Sequence, residues 1–241
     1  MELYNGDCLE IMKDIPDKSI DMILCDLPYG TTACKWDTII PFEPLWKQYN
    51  RIIKLNGAIA LFATQPFSSF LVHSNIKNFK HEWIWKKEKG VGFQIAKYRP
   101  MQEHEHILVF TTKGERVNYY PIMIKRDKPL VSSGASANSG VCPIKYASKR
   151  TYVYTHKYPT SILYYKRDKE RLHPTQKPVA LLEYLIKTYT NEGDIVLDNC
   201  MGSGSTGVAC INTNREFIGI EKDSKYFKIA EERVRSTAFI V

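Results

Sequence analysis

The sequence predicts an α/β protein: a doubly wound, mostly parallel sheet with a long segment inserted near its middle. Short apolar stretches alternate with stretches of helical periodicity at both ends of the 241-residue chain, the pattern of strand–helix–strand units. Between them, residues 113–171 lose that alternation and gain positive charge. A chain of this length has room for one such domain with an insertion, and can bury a sizeable core.

The first clear strand is residues 19–25, mostly apolar and ended by the turn Asp26-Leu27-Pro28-Tyr29-Gly30. Residues 42–54 place apolar side chains at helical spacing and run into Asn56-Gly57, which reads as a helix stop. Residues 58–63 read as a buried strand, 66–73 as a short helix, and 82–85 and 106–111 as two further strands. The small-residue stretch 132–140 has no periodicity and reads as a mobile loop. Regular structure returns with an apolar-faced helix over 178–189, a strand over 194–198, a Gly-rich turn and a helix through 207–210. A strand over 216–221 and a helix over 224–235 follow. No internal repeat is visible. The expected organisation is therefore a first half over 1–112, an insert over 113–171 and a second half over 172–241.

The charge is concentrated. Residues 113–171 hold 13 Lys and Arg against 4 Asp and Glu, whereas the rest of the chain holds 21 against 22. Eight of the 15 tyrosines fall in the same stretch. A basic, Tyr-rich segment on a near-neutral body suits a polyanion, although a solvated basic face would look the same. Six cysteines (Cys8, Cys25, Cys34, Cys142, Cys200, Cys210) form no CxxC pair and no zinc-like spacing, so they read as reduced structural residues and no metal is expected. No apolar run is long enough for a bilayer and no signal peptide is visible, so a cytoplasmic protein without membrane contact is expected.

Three pieces carry the chemistry. Asp198-Asn199-Cys200-Met201-Gly202-Ser203-Gly204-Ser205-Thr206 lies between a strand and a helix, where glycines let a ligand approach the backbone. It lacks the third glycine of a dinucleotide fingerprint and the Lys of a phosphate loop, and taken alone is equally an ordinary turn. Glu221 ends the next strand, where a carboxylate suits a ribose diol but also serves as a plain strand-end acid. Together these suggest an adenosyl-type cofactor without choosing between NAD and S-adenosylmethionine. The third piece is Asp26-Leu27-Pro28-Tyr29. It offers two acceptors for an amine, the Asp26 carboxylate and the Leu27 carbonyl, beside an aromatic ring able to stack on a base.

Asp26-Leu27-Pro28-Tyr29 resembles the Asp-Pro-Pro-Tyr motif of the DNA amino-methyltransferases, the N6-adenine and N4-cytosine family. Asp198 to Thr206 resembles their cofactor loop, and His173-Pro174-Thr175-Gln176-Lys177-Pro178 the segment before it that helps hold the cofactor's methionine end. Asn5-Gly6-Asp7-Cys8 is similar to their short Gly-Asp element on the cofactor's adenine. The order, catalytic motif first and cofactor loop last, is the permuted order of the β group, and the resemblance covers roughly residues 1–112 and 171–236. It implies the Rossmann-like methyltransferase fold, S-adenosylmethionine as cofactor and duplex DNA as partner, and is compatible with a homodimer.

It also implies roles. Asp26, Leu27, Pro28 and Tyr29 would be catalytic. Asp7, Lys177, Asp198, Cys200, Gly202, Ser203, Gly204, Ser205, Thr206 and Glu221 would bind the cofactor, with residues 113–171 recognising the target. Two departures stand out: Leu27 replaces the usual first Pro, and Asn199-Cys200 replaces Pro-Phe, removing that Phe's apolar contact. The implied reaction is methylation of the N6 amine of a flipped adenine. Its rivals are the N4 amine of cytosine, where Ser tends to lead the motif; RNA or a protein amide, where Asn leads; and a catalytically silent nucleic-acid-binding module. Asp26 favours adenine, and the intact site residues oppose the silent module.

Overall fold

The computed structural model describes residues 1–30, 37–112, 116–133, 151–169, 172 and 175–239. Cys34, Trp36, Cys142, His173, Pro174 and most of the 132–140 stretch lie outside the described residues. Two compact units are present, Met1–Tyr120 with Ser161–Val241, and Pro121–Thr160.

The first unit is a sheet of eight strands in the order β1-β10-β9-β2-β3-β5-β4-β8. In chain order these are β1 (Glu2–Asn5), β2 (Ile20–Cys25), β3 (Ile53–Ala63), β4 (Phe79–Val91), β5 (Gln102–Phe110), β8 (Ile162–Tyr164), β9 (Ile195–Asp198) and β10 (Glu216–Glu221). Only β5 runs against its neighbours. The helices are α1 (Cys8–Ile11), α2 (Phe42–Ile52), α3 (Phe67–Ser74), α4 (Val179–Tyr189), α5 (Ser205–Asn212) and α6 (Ser224–Ala238).

Strand alternation divides the core between the two faces of the sheet. Ile23, Cys25, Ile59 and Leu61 pack with Leu45, Trp46, Tyr49 and Ile52 of α2 on one face. Met22, Leu24, Ala60 and Phe62 pack with Leu181, Leu182, Leu185 and Ile186 of α4 on the other. The helical spacing of 45, 46, 49 and 52 gives α2 its buried stripe.

The structure lengthens the strands expected over 82–85 and 106–111 to Phe79–Val91 and Gln102–Phe110, and moves the α2–β3 boundary. The helix expected over 42–54 ends at Ile52, and Asn56-Gly57 is not a helix stop but lies within β3. Asn56 adopts a positive φ of 64°, which Asn tolerates. The local kink shifts the β2–β3 register between Ile20 and Met22. Strands β1 and β8 were not anticipated: β1 is a mostly exposed edge strand without an apolar run, and β8 has three residues.

The second unit contains β6 (Ile124–Ser133) paired antiparallel with β7 (Thr151–Lys157). Residues flanking it, though inside the 113–171 stretch, belong to the first unit. Tyr120 N donates to Thr188 O at 2.8 Å, and Trp85 Nε1 donates to Tyr165 O at 2.9 Å.

Tyr189 locks α4 to β4. Its hydroxyl accepts from Trp83 Nε1 at 2.6 Å and lies 2.7 Å from His81 Nε2, whose pKa burial lowers. Tyr189→Phe would leave the buried indole N–H without a partner, costing about 1–3 kcal/mol. Thermal unfolding should show a midpoint lower by roughly 2–12 °C; an unchanged midpoint would remove this bond from the account of the fold.

Candidate active site

The crossovers from β2 to β3 and from β9 to β10 leave the adjacent strands β9 and β2 in opposite directions. Ligands of open parallel sheets bind at such a switch point, outside the carboxyl ends of the strands. Asp26 follows β2 there and Asp198 ends β9. A cleft of about 880 Å³, counted out through its open mouth into solvent, lies between them.

The turn after β2 is held at both ends. Tyr29 Oη donates to Asp26 Oδ1 at 2.5 Å, and its ring stacks on Phe67 with centroids 5.0 Å apart. Gly30, at φ 67°, donates its N–H to Asp37 Oδ1 at 2.8 Å; a side chain there would run into Ile39. Leu27 is buried in the core, so what its residue type changes relative to Pro is packing and an added N–H. Burial raises the pKa of Asp26 against the pull of Lys177.

The loop after β9 is shaped from inside. Asp198 is buried; its Oδ1 accepts from Cys200 N at 3.1 Å and its Oδ2 from Thr206 Oγ1 at 2.6 Å. Burial pushes its carboxyl up to about 6, although both donors pull the other way. Gly202 and Gly204 take φ of 53° and 77°, the left-handed region that glycine enters freely. Tyr49 Oη donates to Asn199 Oδ1 at 2.6 Å, tying the loop to α2, and Cys200 packs against the first core face. Cys200 also lines the cleft. Glu221 is half-buried: Oε2 accepts from Gly202 N at 2.9 Å and Oε1 from Asp223 N at 2.8 Å. Burial raises its pKa, opposed by those backbone N–H groups.

Of the fourteen residues singled out, twelve line this cleft; Gly204 and Asp7 do not. Gly204 packs below, where a Cβ would press on Ala230 and Val234. Asp7 caps α1 through Leu9 N at 3.0 Å and pairs with exposed Lys222 at 3.0 Å. Lys177 does not stand alone: its Nζ donates to Asp26 Oδ2 at 2.5 Å, lies 3.3 Å from Glu105 Oε2 and sits 5.0 Å from the centre of the Phe62 ring.

Glu105 and Lys87 are functional-site candidates that sequence reasoning missed. Lys87 Nζ pairs with Glu105 Oε1 at 2.6 Å, and both side chains are buried. Alternation could have found them. Lys87 shares the face of Trp83 and Trp85 on β4, and Glu105 that of Ile107 and Val109 on β5. Burial pushes Glu105 up, but the Lys177 and Lys87 ammoniums outweigh it and hold it low. Burial pulls Lys177 down, and its two carboxylates outweigh that and raise it.

The family profile described as DNA methylase matches residues 20–232. The chain belongs to the N6/N4 DNA methylase family. It is 31% identical over 251 residues to the DNA adenine methyltransferase YhdJ of Escherichia coli K12, covering 96% of this chain and 82% of that one. It is 28% identical over 247 residues to the type II methyltransferase M.HpaI of Haemophilus parainfluenzae, covering 97% and 74%. Among solved structures, the M1.HpyAVI–SAM complex is 28% identical with a TM-score of 0.67, covering 96% and 98%. The PvuII DNA methyltransferase (cytosine-N4-specific), at 15% identity and a TM-score of 0.66, shares the fold.

This family takes its methyl group from S-adenosylmethionine, and the cleft fits that group. Leu24, Phe62, Met201 and Leu182 give it apolar walls, and the Glu221 carboxylate, with about four lone-pair sites, has acceptor capacity beyond its backbone N–H donors. Among the described residues no cluster of three or more His, Cys, Asp and Glu side chains is placed to hold a metal, and no helix is long and apolar enough to cross a membrane.

The raised pKa of Asp198 has a consequence for stability. A carboxyl that titrates near 6 when folded and near 3.8 when unfolded binds its proton more tightly in the fold. Its contribution, roughly 3 kcal/mol, is therefore fully present below pH 4 and lost as pH rises through 6. Carbon-detected NMR of the cofactor-free protein should place the Asp198 midpoint near 6. A midpoint at or below 4 would overturn the burial argument.

Proposed function

We propose that this chain methylates the N6 amine of an adenine flipped out of duplex DNA. The observation that carries this reading is the Asp26 carboxylate, held by Tyr29 on a rigid turn in the same cleft as the Asp198–Thr206 loop and Glu221. Bound in that cleft, S-adenosylmethionine supplies a methyl group on a positively charged sulfur that is already a good leaving group. Glu221 takes the ribose hydroxyls, and the backbone of residues 200–205 borders the rest of the cofactor. Asp7 acts from outside the cleft by fixing the start of α1.

Tyr29, backed by Phe67 on one face, stacks on the target base with the other; such a stack is worth ~1–3 kcal/mol. Asp26 and the Leu27 carbonyl accept hydrogen bonds from the two amine N–H groups and aim the nitrogen lone pair at the methyl group. Rate then comes from alignment, and from a carboxylate beside an amine that turns positive as the bond forms. No prior deprotonation of the amine is required.

The ribbon of β6 and β7 supports the assignment of DNA as partner. Residues 121–160 hold seven Lys and Arg against one acid, and the described residues of β7 are all exposed. A two-stranded ribbon has little stability of its own, and its side chains are free for phosphates, which position the protein without reading sequence.

The test is to incubate duplex DNA with methyl-labelled cofactor, digest it to nucleosides and identify the product. Wild type should yield N6-methyladenine; N4-methylcytosine would overturn the adenine assignment. Asp26→Ala should lose turnover below detection while binding the cofactor within about threefold of wild type. Retained turnover would remove Asp26 from the reaction.

A further inference from the structure

Lys177 shares the carboxylate that the target amine needs, and neutralises its charge. Of the two Asp26 oxygens, Oδ1 takes the Tyr29 hydroxyl and Oδ2 takes the Lys177 ammonium, each at 2.5 Å. An amine that becomes positive beside Asp26 would meet an ammonium already paired with the same carboxylate. Leaving the buried ammonium without a partner would be costly as well.

A second seat is in place. Glu105 Oε2 is buried, and among the described residues no donor makes a hydrogen bond to it. It lies 3.3 Å from Lys177 Nζ, already paired with that ammonium in charge but at a longer and less well aligned contact than Asp26 Oδ2. The other oxygen is fixed by Lys87 at 2.6 Å, and Lys87 itself sits 5.6 Å from the centre of the Trp85 ring. Both residues stand on paired strands, with Trp85 opposite Glu105. The Phe62 ring lies 5.0 Å from the ammonium, a favourable surface for a cation.

We propose that Lys177 is a movable cap on Asp26, and that Glu105, anchored by Lys87, is the positioning residue that receives it when the target amine arrives. The swap exchanges hydrogen bonds only: no covalent bond forms or breaks, and the four charges of Asp26, Lys177, Glu105 and Lys87 remain paired in alternation. The emptied cleft keeps Asp26 neutralised, and the filled cleft gives the full carboxylate charge to the amine. This inference rests on the reading of Asp26 as the amine's acceptor.

The experiment compares wild type, Glu105→Gln, Lys177→Met and the double variant on duplex DNA carrying the methylation site mapped with the wild-type enzyme. Glu105→Gln keeps the shape of the seat and removes its charge. It should lower single-turnover methyl transfer about tenfold or more, with KM for DNA and cofactor affinity within about threefold of wild type. Lys177→Met should retain measurable turnover, and in that background Glu105→Gln should be neutral or beneficial, because there is no ammonium left to seat.

A Glu105 that merely supports the fold would cost the same in both backgrounds, and that result overturns the proposal. Wild-type rates in Glu105→Gln, or no turnover in Lys177→Met, overturn it too. Should Glu105→Gln fail to melt cooperatively, Glu105→Asp replaces it. With the charge kept one methylene further back, it should show a smaller loss that again vanishes without Lys177, and an equal loss in both backgrounds overturns the proposal. N6-methyladenine from wild type and inactivity of Asp26→Ala, measured alongside, separate failure of this inference from failure of the functional reading.

Discussion

The parallel pairing of β2 with β9 is the constraint on which the site depends. The two strands are more than 160 residues apart in sequence, and their register sets Met22 against Val196 and Ile23 against Leu197. Asp21 reinforces the joint at its far end by accepting from Ile195 N at 3.0 Å and from Lys54 Nζ at 2.7 Å. Because the side chains of a strand alternate, a slip of one residue would turn Leu24 and Asp26 to the opposite face. The 26–29 turn and the 198–206 loop, encoded at opposite ends of the chain, therefore meet at one cleft only in this register.

Much of the fold was legible because its central strands are buried on both faces and write themselves as apolar runs: 20–25, 58–63 and 195–198. The edges were not. β1 buries almost nothing and is held by backbone pairing with β10, a bond type that leaves no trace in side-chain pattern. The junction at 53–57 misled because Asn-Gly ends helices often, whereas here Asn56 kinks a strand.

That the 26–29 turn and the 198–206 loop each follow a strand directly was legible for a different reason: both come straight after an apolar run. Lys87 and Glu105 escaped because charged residues in KKEK and EHEH read as solvated, and a charge is buried only when its partner is supplied from elsewhere. That partner, Lys177, is 72 residues beyond Glu105, and only the folded sheet brings the two together. Lys177 itself was expected at the cofactor, and the structure places its ammonium on Asp26.

The reversed direction of β5 has a consequence for how such a protein can diversify. Apart from β4 and β5, the strands of this sheet run toward the cleft edge, and the chain returns to the far side between them. At β4 and β5 the chain both arrives and departs at that edge, through residues 92–101, whose Phe93 and Tyr98 are exposed. Length or sequence changes in this hairpin tip would remodel the surface along the carboxyl edge of the sheet while every strand register behind it stayed the same. Variation tolerated there would be cheap in stability and direct in its effect on what meets that edge, a natural place for related chains to diverge in target without rebuilding the methyl-transfer core.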